Sequence, residues 1–181
     1  MNASTASDDE LLRAARSGDR SAFEALHGRL AGPAYGLASR LAGNAELAAD
    51  VTQDVLIELV NGARGYRFNG RLRAYLLRMI ANGVYSVQRS IRRRVASFPV
   101  CATEPQPERR AVAASATEAA WQALAHLDHV ERVVVILRAC HELPFGEIAD
   151  VLAEPETTVK SRYHRAIERL RRKLAAWEDP T

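Results

Sequence analysis

Apolar residues recur at intervals of three and four along nearly the whole chain, the spacing of amphipathic helices. Leu11, Leu12 and Ala15 open the pattern, and Phe23, Leu26 and Leu30 continue it. Asp19 or Ser21 is suited to cap the second helix. Pro33 fits the first turn of a third, which carries Tyr35, Leu37, Ala38 and Leu41. Gly43-Asn44 predicts a stop and a restart. From Glu46 to Asn61, Leu47, Val51, Val55 and Leu59 form one stripe and Asp50, Asp54 and Glu58 another, before Asn61-Gly62 closes the helix. Leu72 to Ile91 predicts a further long helix, with Leu76, Ile80, Val84 and Val87 as its apolar stripe.

After Arg94 the texture changes. Pro99, Pro105 and Pro107 fall among Ser, Thr and Glu, which predicts a flexible linker over 96–116 between units at 8–95 and 117–178. Helical spacing resumes with Trp121, Leu124 and Leu127, and Asp128 is placed to cap a helix from Val130 to Ala139. The run Val133-Val134-Val135-Ile136-Leu137 is β-branched, but its length and flanks favour a buried helix. The expected class is all-α, two small helical domains on one chain.

The C-terminal part carries the most specific pattern. Phe145 to Leu152 presents Ile148, Val151 and Leu152 on one face, Ala153-Glu154-Pro155 breaks it, and a second helix runs from Glu156 to about Ala176. Pro155 and Glu156 suit that helix's start. Val159, Tyr163, Ala166, Ile167 and Leu170 can pack inward, which leaves Thr157, Thr158, Lys160, Ser161, His164 and Arg165 outward. Two helices, a tight turn and a polar, basic second helix are what a helix-turn-helix needs to donate to phosphates and base edges. An ordinary helical hairpin with a solvated basic face is the bland alternative.

Composition supports a folded protein: 48% of residues are hydrophobic and only 6% aromatic. The net charge is +3, but it is unevenly placed. Residues 64–94 hold 9 arginines and no acid, and residues 156–174 hold 7 basic and 2 acidic side chains. The preceding segments, 1–63 and 95–155, each carry 9 acids against 5 and 4 bases. Two cationic segments separated by acidic ones fit two nucleic-acid surfaces, or else two solvated helix faces.

Thr158-Val159-Lys160-Ser161-Arg162, followed by Arg165-Ala166 and Leu170-Arg171, resembles the last helix of extracytoplasmic-function sigma factors of the sigma-70 family. Gly18-Asp19, Ala22 to Leu26, Leu41 to Asn44, and Asp50-Val51-Thr52-Gln53-Asp54-Val55 resemble the same group, as do Leu76, Arg78 and Asn82 ahead of an arginine-rich helix end. The resemblance implies a dissociable subunit that binds core RNA polymerase and directs promoter-specific initiation. Region 2, over 8–95, would bind the clamp helices of the largest subunit through Asp50, Gln53, Asp54 and Ile57. It would also read and melt the minus-ten element through Arg71, Arg73, Tyr75, Arg78, Asn82, Arg89, Arg92 and Arg93, with Arg94 beside them. Tyr75 stands where a tryptophan is usual; it either packs in the core or stacks near an unpaired base, and packing is the commoner fate. Asn82 matches a residue lining a pocket for an extruded base. Region 4, over 117–178, would read the minus-thirty-five duplex through Thr157, Thr158, Lys160, Ser161, Arg162, His164 and Arg165. An anti-sigma factor would be a further partner. Ser86 replaces a usual aspartate, Leu56 and Val60 usual large aromatics, Glu154 an apolar turn residue, and Ala153 a frequent glycine; these departures bear on promoter preference more than on fold.

Other chemistry finds little support. His126, His129, Cys140 and His141 fit no zinc spacing, and a buried helical Cys140 beside surface histidines is expected instead. No phosphate loop or nucleophile elbow is present, so neither an enzyme nor a cofactor or metal is expected. No apolar run reaches the ~20 residues of a membrane span, and the start of the chain carries Asp8, Asp9 and Glu10 rather than a signal peptide's basic residues, which favours the cytoplasm. Two rival readings are a stand-alone helix-turn-helix regulator and a sigma-like decoy that sequesters a regulator.

Overall fold

The computed structural model describes residues 6–62, 66–97 and 122–178, which are helical and contain no strand. They fall into two compact units that divide at 98/99.

In the first unit four helices pack around one core: α1 (Asp8–Arg16), α2 (Arg20–Ala42), α3 (Ala45–Val60) and α4 (Leu72–Ser97). Local chemistry sets their ends. Ser7 and Glu10 form a reciprocal capping box at α1, Asp19 accepts from the Ser21 and Ala22 amides at α2, and Asn44 accepts from Leu47 at α3. Gly43, at φ 66°, takes the left-handed conformation that closes α2, where a side chain would be strained. Leu11, Leu12, Leu30, Leu37, Leu59, Leu72, Leu76, Leu77 and Ile80 are fully buried. Gly83 lets α4 approach α3 closely, since a Cβ there would lie 3.0 Å from a Val51 methyl carbon.

The structure corrects two expectations here. Pro33 does not begin a helix; it lies inside a continuous α2. Ala22, Leu26, Leu30, Ala34, Leu37 and Leu41 make one unbroken buried stripe through it, and that burial outweighs the backbone hydrogen bond that proline removes. The helix from Leu72 also runs past Ile91 to Ser97, two residues into the span expected as linker. The rest of that span, with Pro99, Cys101, Pro105 and Pro107, lies outside the described residues, as does Trp121.

In the second unit residues 122–125 are helical and are followed by α5 (His129–Ala139), α6 (Phe145–Leu152) and α7 (Glu156–Glu178). Asp128 caps α5 by accepting from the Glu131 amide, and Val133 to Leu137 are all buried. Leu127, Val135 and Ala166 form a core patch against which Leu124, Tyr163, Ile167 and Leu170 pack. Buried Glu131 accepts from Arg169 at 2.8 Å and ties α5 to α7. Cys140, expected to be buried, is exposed at the C-cap of α5, three positions beyond Leu137, the last buried residue of the apolar run.

Candidate nucleic-acid interface

On α3, Asp50, Gln53, Asp54 and Ile57 stand at i, i+3, i+4 and i+7 and are all exposed, while Ala48, Val51, Val55 and Leu59 face the core. Ile57 is 50% exposed, an apolar residue within an acidic and amide stripe. Beside it a shallow apolar hollow between α2 and α3 is lined by Phe23, Leu26, His27, Leu30, Leu56, Leu59 and Val60. Leu56 and Val60, the positions where the resemblance leads one to expect large aromatics, thus form part of its wall.

The α4 side chains are arranged on one main face. At about 100° per residue, Arg71, Tyr75, Arg78, Asn82, Arg89 and Arg93 fall within a sector of about 60°, a stripe on the order of 30 Å long. Asn82, Arg89, Arg92 and Arg93 are exposed, and Arg78 is half-buried with its guanidinium 5.3 Å from the centre of the Tyr75 ring. Arg71 precedes the helix; its amide donates to Asn69 and its carbonyl accepts from Tyr75. Arg73 is exposed but points about 160° away from Tyr75, so the helix separates it from the others. The side chain of Arg94 lies outside the described residues.

Tyr75 is half-buried in an aromatic group that sequence patterning did not reveal. Its ring lies 5.0 Å from that of Tyr66, which meets Phe68 edge-on at 5.4 Å. The Arg13 guanidinium sits 4.3 Å above Phe68, with Arg16 at 5.4 Å. Buried Asp9 anchors this group by accepting from the Tyr66 hydroxyl and, at 2.8 Å, from the Gly70 amide. Burial first, then the hydrogen bond to Asp9, raises the Tyr66 pKa, so the hydroxyl stays protonated and continues to donate. The available signal was Tyr66 and Phe68 flanking Arg67 within the acid-free arginine segment.

In the second unit α6 ends at Ala153, whose φ of 55° is left-handed despite its side chain. The Glu154 amide donates back to Ala149, and the Pro155 carbonyl accepts from Thr158 and Val159 to start α7. Thr157, Lys160, Ser161, His164 and Arg165 are exposed, Thr158 is half-buried, and Val159 and Ala166 are fully buried. Lys160 pairs with Glu156 at 2.7 Å on the surface. Arg162, in contrast, is half-buried and forked onto Glu154.

Two family comparisons fit this arrangement. Residues 26–94 match the family described as Sigma-70 region 2, and residues 117–170 match Sigma-70, region 4. The ECF RNA polymerase sigma factor SigM of Mycobacterium tuberculosis is 32% identical over 171 residues, covering 93% of this chain and 85% of the relative. The chain belongs to the extracytoplasmic-function sigma factors of the sigma-70 family. SigW of Bacillus subtilis is 26% identical over 179 residues, 90% of this sigma factor and 94% of the relative. Among solved structures, CnrH in complex with the cytosolic domain of CnrY is 26% identical, with a TM-score of 0.66 over 93% of this chain and 97% of that one. The sigma factor RpoE of Bartonella quintana, solved with the anti-sigma factor NepR, shares the fold at 23% identity, with a TM-score of 0.68 over 84% of this chain and 96% of that one. Family membership makes this chain a transcription initiation factor that binds core RNA polymerase and directs initiation at promoters. No helix among the described residues is long and apolar enough to cross a membrane.

Proposed function

We propose that the two cationic helices divide promoter recognition between the two units, with residues 8–95 serving the polymerase and the minus-ten element and residues 117–178 the minus-thirty-five duplex. The observation that carries this reading is the single face of α4 on which Arg71, Tyr75, Arg78, Asn82, Arg89 and Arg93 align. Arginines at that spacing neutralise a phosphate backbone, while an aromatic and an amide between them stack on or bond to unpaired bases. Arg92 flanks this stripe and adds charge, while Arg73, on the far side of the helix, adds to the general positive field. In the second unit Thr157, Thr158, Lys160, Ser161, His164 and Arg165 meet the major groove and its phosphates, while Arg162 lies behind them on Glu154.

Asp50, Gln53, Asp54 and Ile57 dock on the clamp helices of the largest polymerase subunit. Carboxylates and an amide give orientation and on-rate against a basic helix, and Ile57 supplies apolar area at the centre. An anti-sigma factor holds the protein inactive in the cytoplasm, in keeping with the similar protein CnrH, seen bound to the cytosolic domain of CnrY. Phosphodiester chemistry belongs to the polymerase, and this chain's part is to bind and position the promoter.

Run-off transcription with purified core enzyme and a genomic fragment library tests the assignment. The full chain is expected to yield discrete promoter-dependent transcripts. Asp50→Arg with Asp54→Arg, which leaves the buried face of α3 untouched, is expected to abolish both these transcripts and co-purification with core. A chain that binds operator duplex without core and yields no transcript is a stand-alone regulator; one that binds core and initiates nowhere is a decoy.

A further inference from the structure

Arg162 differs from its neighbours on α7 in where it points and in what it touches. At about 100° per residue, Thr157, Ser161 and His164 lie near one line, with Lys160 about 60° to one side and Arg165 about 80° to the other. Arg162 lies about 140° from Thr157 and only about 40° from Ala166, which is fully buried. Its guanidinium turns back across the break between α6 and α7, where Nε donates to Glu154 Oε2 at 3.0 Å and Nη2 to Glu154 Oε1 at 3.0 Å. The two side chains are 27% and 28% exposed.

The chain holds Glu154 in that place. It follows left-handed Ala153, donates its own amide to Ala149, and precedes Pro155, which keeps its backbone out of the helical region. A parallel, partly buried pair of charge-assisted bonds resists rearrangement. The neighbouring Lys160–Glu156 pair is 50% and 47% exposed, and such a surface pair gives way easily to a phosphate.

We propose that the Glu154–Arg162 fork is a strut that fixes the angle between the two helices of the helix-turn-helix, so that Arg162 is a positioning residue and neutralises no DNA phosphate. The proposal rests on the reading of α7 as the DNA-facing helix. Each phosphate neutralised by a cation contributes about 0.9 to the slope of log affinity against log salt concentration, whereas a guanidinium already paired with a carboxylate releases no counterion.

The test uses the full chain with core RNA polymerase and a duplex that this holoenzyme recovers from a random-sequence pool. Affinity is measured from about 50 to 200 mM salt for the wild type, Arg165→Ala, Arg162→Ala, Arg162→Lys and Glu154→Ala. Arg165→Ala is expected to lower the slope by about 0.9. Arg162→Ala, Arg162→Lys and Glu154→Ala are each expected to weaken binding about fivefold while changing the slope by less than half that amount. Lysine keeps the charge but cannot fork onto a carboxylate, so it fails to rescue a strut and would rescue a phosphate contact. The proposal is overturned by a slope loss of half the Arg165→Ala value or more in Arg162→Ala, by Arg162→Lys binding like the wild type, or by unchanged affinity in all three strut variants. If Arg162→Ala fails to fold, Arg162→Lys and Glu154→Ala decide the matter. If the wild type recovers no duplex at all, the DNA-facing reading of α7 falls, and the strut's role with it.

Discussion

Asp9 uses both carboxylate oxygens on a loop far from it in sequence, one for the Tyr66 hydroxyl and one for the Gly70 amide. Burial makes this arrangement matter, since a buried acceptor deprived of its donor bears the full cost of desolvation. Tyr66→Phe is therefore expected to destabilise the first unit by about 1–2 kcal/mol in urea unfolding of the full chain, whereas an unchanged midpoint would show that the contact contributes nothing. The same residue positions Tyr75, so the loop and the start of α4 depend on a carboxylate in α1. Contacts of this kind were not legible in the sequence. Asp9 pairs across 57 and 61 positions, and Glu154 reaches Arg162 across a turn whose geometry depends on a left-handed alanine. Composition identified Arg162 as a cation, but only its place on the helix and its partner separate it from Arg165.

Along single helices the sequence was far more informative, because periodicity and caps are local. Asp19, Gly43, Asn44 and Asp128 all lie at helix ends, and the apolar stripes of α3 and α4 face the core. Pro33 misled because its local preference for a first turn is overridden by the buried stripe on either side of it. Cys140 misled for a similar reason: three residues past Leu137, where the buried apolar run ends, the chain has already left the core. The caps also carry a pH dependence. The Glu10 pKa is lowered by the Ser7 amide and then the Ser7 hydroxyl, and the Asp19 pKa by the Ser21 hydroxyl and then the Ala22 amide. A carboxylate whose folded pKa is lowered contributes stability above its unfolded value, here 4.5 and 3.8, and loses it as pH falls through the lowered value. Amide exchange protection at Ser7, Ser21 and Ala22 is expected to hold above about pH 5 and to decline progressively below it. Protection that is unchanged down to pH 2 would show that the charged forms are not the caps, on the order of two units below the ordinary carboxylate range.

For the whole molecule, the two units place two cationic helices on one chain, and under the proposed division of the promoter between them, binding one element raises the effective concentration of the other. The division was legible in the sequence because proline content and charge alternate along it. Which arginines share a surface was not, because Arg73 and Arg78 look alike until the helix turns them to opposite sides. On the proposed division, the α4 face melts the minus-ten element while the second unit holds the minus-thirty-five duplex. Permanganate reactivity of thymines, mapped on a promoter bound by the holoenzyme, tests it most directly. The wild type is expected to expose unpaired thymines around minus ten. Arg78→Ala with Asn82→Ala and Arg89→Ala is expected to leave that element paired while protection at minus thirty-five persists. Melting that survives the triple substitution at wild-type level would contradict the account.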